Sequence, residues 1–207
     1  MSSGTPTGNT RALETERLVL RPLSADDAPD VHRISNEPLV RRYLWDDEPV
    51  TSAKIQEVVA QSVRMFSEEG VGLFGVRLRG SGELVGFCGF GHTRDGPQEI
   101  ELIYELLPEL WGRGLATEAS RACLHHAFTT AGLDKVVAGA DAPNVASLRV
   151  IEKLGMTAIG EIAPGQPGVP FFALNRNDFL ASEASPHDAR SVRLTPPTSE
   201  EAGRSTD

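Results

Sequence analysis

Two glycines one residue apart, Gly112 and Gly114, stand between a stretch that reads as a strand and one that repeats as a helix. The whole turn is Pro108-Glu109-Leu110-Trp111-Gly112-Arg113-Gly114-Leu115-Ala116-Thr117. Gln98 to Leu107 ahead of it has strand character. Thr117 to Ala131 behind it places Ala119, Cys123, Ala127 and Ala131 on one stripe, widened by Leu124 and Phe128. A strand that turns sharply into a helix leaves N–H groups unpartnered at the positive end of the helix dipole. An anion such as a phosphate fits there, because glycine has no side chain to block its approach. Arg113 adds a positive charge. The same residues also suit a tight turn that holds nothing. Two other phosphate loops are absent: there is no G-x-x-x-x-G-K-[ST], and no G-x-G-x-x-G after an early strand.

The elements around this turn follow from periodicity and capping. Arg17 to Arg21 alternates as a strand, and Ser24 with Asp27 caps a short helix to about Ser35. Arg41 to Pro49 (RRYLWDDEP) reads as a loop. Thr51 is an N-cap, Val50 and Ile55 have staple spacing, and a helix runs on to about Glu69, with Gly70 as its stop. Gly72 to Leu78 and Leu84 to Phe90, joined by Gly80-Ser81-Gly82, read as a hairpin. Asp95-Gly96-Pro97 marks a turn. Lys135 to Ala140 reads as a strand, Asn144 to Leu154 as a helix, and Thr157 to Ile162 and Phe171 to Leu174 as closing strands. Such an order makes a mixed α/β (α+β) domain rather than a regular βαβ array. Residues 1–12 and 181–207 lack apolar pattern and read as disordered tails around a body from Leu13 to Leu180.

Composition narrows the partners. The chain has 207 residues and a formal charge of -9, which argues against nucleic-acid or anionic-membrane partners and is compatible with a cationic amine. Cys88 and Cys123 are isolated in apolar segments, so we expect reduced, buried thiols and no metal site. Neither a membrane span nor a signal-peptide order appears, and the expected location is cytoplasmic.

The helix that opens Asn144-Val145-Ala146-Ser147 and ends Lys153-Leu154-Gly155-Met156 supplies the second half of a pattern. With Glu14 to Pro22 (ETERLVLRP), the LVGFCGF strand, Ile103-Tyr104-Glu105, the W-G-R-G-L-A-T turn and the closing FFALNRNDF, it resembles the GNAT superfamily of N-acetyltransferases. Trp111, where the superfamily motif has Gln or Arg, is similar to the RimJ/RimL branch. The resemblance implies a central, mostly antiparallel twisted sheet with one parallel splayed pair, flanked by helices. It implies acetyl-CoA or another acyl-CoA as cosubstrate, with no metal. Backbone amides from Gly112 through Arg113, Gly114, Leu115 and Ala116 to Thr117, following Trp111, would bind the pyrophosphate. Main-chain groups at Tyr104, Glu105 and Leu106 would pair with the pantetheine arm, and Asn144 and Ser147 would face it. The acceptor would be a protein N-terminus or a small amine, and members of the branch are monomers or homodimers.

The implied reaction is attack of a neutral amine on a thioester. An α-amine titrates near roughly 8 and a lysine amine near roughly 10.4, so a base must take a proton. Glu99 and Glu101 share one strand face, and Glu101 is the candidate base. A main-chain N–H near Tyr104 or Glu105 would polarise the carbonyl. Many superfamily members carry a tyrosine four residues before the helix-ending glycine. Ile151 stands there instead, which leaves Ser147 or a water beside the sulfur. The Tyr43-Leu44-Trp45-Asp46-Asp47-Glu48 loop would favour a cationic acceptor. His125 and His126 read as surface or packing residues. Two other readings compete: an acyl-CoA sensor without catalysis, and a nucleotide site built on the same cradle.

Overall fold

The computed structural model of the protein describes residues 12–93, 98–160 and 169–184. The turn at Asp95-Gly96-Pro97 and nearly all of both expected tails lie outside the described residues. The chain enters through β1 (Leu13–Glu14) and β2 (Leu18–Pro22), paired antiparallel. In β2, Leu18 and Leu20 point into the core while the residues between them do not, as period-2 alternation requires. Asp27 closes the turn that follows by accepting from the Ser24 N–H at 2.9 Å and from its hydroxyl at 3.0 Å. Helix α1 (Ala28–Ser35) then buries Val31 and Ile34.

The stretch expected as a loop from Arg41 begins inside a helix, α2 (Pro38–Leu44). Pro38 at its first turn costs no hydrogen bond, and Val40 supplies a buried anchor. Helix α3 (Ser52–Glu69) starts where the Thr51 hydroxyl accepts from the Lys54 N–H at 3.2 Å, and it ends at Gly70. Its core face is Ile55, Val59, Ser62, Met65 and Phe66, while Val63 is exposed.

Strands β3 (Leu73–Leu78) and β4 (Leu84–His92) form the hairpin, and β5 (Ile100–Leu106) pairs antiparallel with β4 from Gly86↔Leu106 to His92↔Ile100. After the glycine turn come α4 (Leu115–Thr129), β6 (Lys135–Gly139), α5 (Val145–Lys153), β7 (Thr157–Gly160), β8 (Phe171–Asn175) and α6 (Arg176–Glu183). Helix α6 carries the fold past the boundary drawn at Leu180. The sheet order is β1-β2-β3-β4-β5-β6-β8-β7. Every pairing is antiparallel except β5 with β6, whose register is the single parallel pair Glu101↔Val137.

Helix α4 covers β4 and β5 with Ala119, Cys123, Ala127 and Phe128, small residues that let it lie close to the sheet. Cys88 and Cys123 are both free and buried there; the Cys123 thiol donates to the Cys88 carbonyl at 3.6 Å, and burial pushes its pKa up. His126 is a packing residue: its Nε2 lies 2.8 Å from the Gly70 carbonyl, and its ring meets Phe74 edge-on. Among the described residues, no helix is long and apolar enough to cross a membrane.

Candidate functional site

The site begins where β5 leaves β6. Past Glu101↔Val137 the two strands share no further register pair, so β5 from Ile103 to Leu106 has a partner strand on one edge only. The alternation of β5 decides what faces the gap. The Leu107 N–H donates to the Val85 carbonyl at 2.9 Å, towards β4. The Glu105 carbonyl points the same way, since a Cβ on Gly86 would collide with it. The main-chain groups of Tyr104 and Leu106 therefore face the gap, and those of Glu105 do not. The expectation that Glu105 offers its backbone to the gap is corrected by this alternation. What it offers is its side chain.

A cavity of about 490 Å³ occupies the gap. Glu101 to Leu106 of β5, the turn with the start of α4, the first turns of α5, and α2 make most of its wall. Of the residues singled out in the sequence, Glu101, Tyr104, Glu105, Leu106, Trp111, Gly112, Gly114, Leu115, Ala116, Thr117, Asn144 and Ser147 meet there. Arg113 is absent from the wall and exposed.

The turn takes its shape from Gly112 (φ 74°) and Gly114 (φ 78°), both in the left-handed region that side chains disfavour. Gly114 is the N-cap residue of α4, and the N–H groups of Leu115, Ala116 and Thr117 follow it at the helix start. A Cβ at Gly112 would meet nothing within 4 Å. Backbone conformation, rather than crowding by the protein, is what demands glycine. Trp111 locks the turn to the strand: its indole N–H donates to the Leu106 carbonyl at 2.7 Å.

The sequence reading missed the clamp behind the turn. The Glu118 carboxylate accepts from the Thr15 hydroxyl at 2.6 Å, the Arg17 N–H at 3.0 Å and the Arg17 Nε at 2.7 Å. Arg17 then donates through Nη1 to the Arg113 carbonyl at 2.8 Å. The turn between β1 and β2 and the first turn of α4 thus hold the loop from outside. Arg149 and Lys153 on α5 were also missed; both line the cavity and bring positive charge to it. The signal for all of these is three-dimensional, since Arg17 and Glu118 are 101 residues apart.

The two side-chain faces of β5 carry different chemistry. On one, the Tyr104 hydroxyl lies 2.6 Å from the Ser147 Oγ and also donates to the Ser147 carbonyl at 3.2 Å. Burial pushes the Tyr104 pKa up to about 12, so the phenol keeps its proton at neutral pH. Asn144 caps α5 by accepting from the Ser147 N–H at 3.1 Å. Ile151 is buried in the core.

On the other face Glu105 is 4% exposed. It accepts from the Ser35 hydroxyl at 2.6 Å and from the Trp45 indole N–H at 3.0 Å. Burial raises its pKa from 4.5 to about 7, and the two hydrogen bonds offset only part of that rise. Glu101 lines the same cavity nearer β6, where a Cβ on Gly139 would lie 3.3 Å from its Oε1. Tyr43, Leu44 and Asp46 from the acidic, aromatic segment also line the cavity. Arg41 and Arg42 are occupied nearby: Arg41 pairs with Asp47 at 3.5 Å, and the Arg42 guanidinium lies 5.4 Å from the centre of the Tyr43 ring.

Comparison with known proteins places this geometry. The acetyltransferase (GNAT) domain family matches residues 17–157. The uncharacterized N-acetyltransferase YoaA of Bacillus subtilis (strain 168) is 27% identical over 161 residues, 77% of this chain and 91% of YoaA. The spermidine N(1)-acetyltransferase of Escherichia coli (strain K12) is 28% identical over 144 residues, 69% of this chain and 74% of that enzyme. An acetyltransferase from Agrobacterium tumefaciens str. C58 superposes with a TM-score of 0.71 at 26% identity, over 84% of this chain and 99% of its own. RimL, a ribosomal L7/L12 alpha-N-protein acetyltransferase solved with coenzyme A, shares the fold with a TM-score of 0.67 at 16% identity, over 81% of this chain and 99% of its own.

Two predictions follow from the turn and from the buried carboxylate. Gly114→Val puts a β-branched residue at φ 78°, a strain of about 1–3 kcal/mol that the turn relieves by refolding. Calorimetry with coenzyme A should show affinity at least about tenfold weaker, while far-UV circular dichroism stays unchanged. Glu105 gives a pH-dependent stability. Below 4.5 its carboxyl is protonated in folded and unfolded chains alike, and between there and about 7 only the unfolded chain gives up the proton. Stability therefore falls as pH rises through that window, by on the order of 3 kcal/mol at most. Glu105→Gln should flatten that slope in urea denaturation run from pH 4 to 8.

Proposed function

The chain belongs to the GNAT acetyltransferase family, and from that premise we propose how its cavity divides the work of moving an acetyl group from acetyl-CoA to an amine. The protein is an enzyme, an N-acetyltransferase. The observation that carries the assignment of parts is that the positive end of α4 and the open edge of β5 face one cavity. The first suits a pyrophosphate, bound by the amides from Gly112 to Thr117 with Trp111 and Arg113 shaping the loop. The second suits the amide-bearing pantetheine arm, which would lie along Tyr104 and Leu106 as an added strand. Arg149 and Lys153 add attraction for the phosphates. Asn144 and Ser147 flank the arm.

The acyl carbonyl is polarised in this arrangement by the Tyr104 or Leu106 N–H, the two that face the gap. Its sulfur meets Ser147, whose hydroxyl the Tyr104 phenol orients. Glu101 meets the acceptor. The acceptor is a cationic amine, drawn by Asp46, Glu101 and Glu105 in a chain of net charge -9. A spermidine-like polyamine and a protein N-terminus both fit that description. The likeness to RimL is one of fold, so the RimJ/RimL branch, an intracellular setting, and a monomeric or homodimeric state belong to this proposal.

Thiol release from acetyl-CoA, measured with spermidine, other small amines and peptides bearing a free N-terminus, tests the reading. At least one amine should raise release well above hydrolysis, and the mass of the product should show one added acetyl group. Coenzyme A binding without turnover on any amine would leave only a sensor role. Preference for ATP or NAD over coenzyme A in calorimetry would sink the cradle assignment. Glu101→Gln removes a charge that meets the acceptor, so it should raise the KM for the amine by about tenfold with little change in coenzyme A affinity.

A further inference from the structure

We propose that Glu105 is the general base of the transfer, taking the proton from the acceptor amine on the face of β5 opposite the Tyr104–Ser147 pair. The inference rests on the acetyl-transfer reading above and adds a catalytic residue to it.

Alternation along β5 creates the opposition. Side chains at Glu101, Ile103 and Glu105 share one face, and Tyr104 stands on the other against Ser147. A thioester lying along the open edge has the Tyr104–Ser147 hydroxyls on one side and carboxylates on the other. Attack and departure then happen on separate walls, each with its own proton-handling group.

Position along the strand separates the two carboxylates. The N–H groups facing the gap belong to Tyr104 and Leu106, the neighbours of Glu105 in sequence. A carbonyl held by either is one residue, about 3.3 Å of strand, from the Cα of Glu105. Glu101 is three residues from Tyr104, about 10 Å of strand, and its Oε1 lies against Gly139 at the closed end of the gap.

The Glu105 carboxylate is also held in place. Ser35 at the end of α1 and Trp45 after α2 each donate one hydrogen bond to it, to Oε1 and Oε2 respectively. An ionised carboxylate has about four acceptor positions, so lone pairs remain for an incoming amine. Its surroundings are Ser35 from α1, Trp45 with the neighbouring Tyr43 and Asp46, its register partner Phe87 on β4, and Glu101 along β5. Burial brings its pKa to about 7, near that of a base that works at neutral pH.

The ammonium form of the acceptor gives one proton to Glu105, which later passes it to water. The neutral nitrogen attacks the thioester carbon, the C–N bond forms and the C–S bond breaks. The second surplus proton on nitrogen ends on the departing sulfur, which leaves as the thiol.

The test is the pH dependence of kcat and kcat/KM, by thiol release from acetyl-CoA with spermidine and with a peptide bearing a free α-amine. Wild type should show an ascending limb near pH 7 with either acceptor. A limb owned by the amine would instead lie near roughly 8 for the peptide and near roughly 10 for an alkyl amine. Glu105→Gln should lower kcat by about 10²- to 10⁴-fold and erase the limb, with coenzyme A affinity kept. Trp45→Phe removes a donor that favours the ionised carboxylate, so its limb should move to higher pH. A merely structural Glu105 predicts no such movement. Glu105→Gln within about threefold of wild type, or a limb unmoved in Trp45→Phe, overturns the assignment. So does a limb erased by Glu101→Gln and kept by Glu105→Gln. If the wild-type chain turns over no amine at all, the acetyl-transfer reading fails, and Glu105 falls with it.

Discussion

Strand β5 pairs with β4 along its whole length and with β6 at one residue. That parting is the constraint from which the rest of the site follows. Backbone N–H and C=O groups are obligatory hydrogen-bonding groups, and an unpaired edge in the middle of a sheet is costly unless something fills it. The protein fills one group itself, with the Trp111 indole on the Leu106 carbonyl. The Tyr104 N–H and C=O and the Leu106 N–H face the cavity. On the proposed reading, the pantetheine arm completes this ladder with its own amides.

The same strand then does three separate jobs because its period is two. Its even-numbered main-chain groups face the gap. Its odd-numbered side chains, Glu101 and Glu105, face the wall built by α1 and α2. The Tyr104 side chain faces α5. No loop has to place these groups relative to one another, since the pleat does so within fractions of an ångström. What must be placed is the glycine turn, and there the structure uses long-range ties. Glu118 sits in the first turn of α4, where a carboxylate also favours the helix dipole. From there it holds Thr15 and Arg17, and Arg17 holds the Arg113 carbonyl.

Much of this was legible in the sequence, and the misses share a cause. The hairpin, α3 with its Thr51 cap, α4 with its small-residue stripe and α5 with its Asn144 cap are all set by neighbours a few residues away, which is the range that periodicity and capping report. The glycine turn between β5 and α4 was legible for the same reason. Helix α2 was read as a loop because its anchor, Val40, is defined by burial against other elements rather than by a repeat in so short a segment. Glu105 was placed in the site for its backbone, yet its side chain is what the cavity sees. Strand direction and pairing decide that, and both depend on β4. The donors that hold it, Ser35 and Trp45, come from segments 70 and 60 residues away. Arg17 was read as the first residue of a strand; it stands in the bend before β2, where its clamp could not be read from sequence.

The place of Ile151 shows how the site manages without the tyrosine that many relatives of this superfamily carry there. Ile151 is 1% exposed and belongs to the core, and its side chain carries no hydroxyl. The phenol comes instead from β5, on Tyr104, and it reaches the start of α5 at Ser147. A phenol with a pKa of about 12 is a weak proton donor. It does not need to be a strong one, since a thiol titrates near roughly 8.5 and its thiolate departs readily. The demanding step is the other one, making a cationic amine into a nucleophile. The two faces of β5 match that asymmetry. On the proposed reading, the sulfur side carries neutral hydroxyls that orient and solvate, and the amine side carries a buried carboxylate whose ionisation burial has brought close to neutrality.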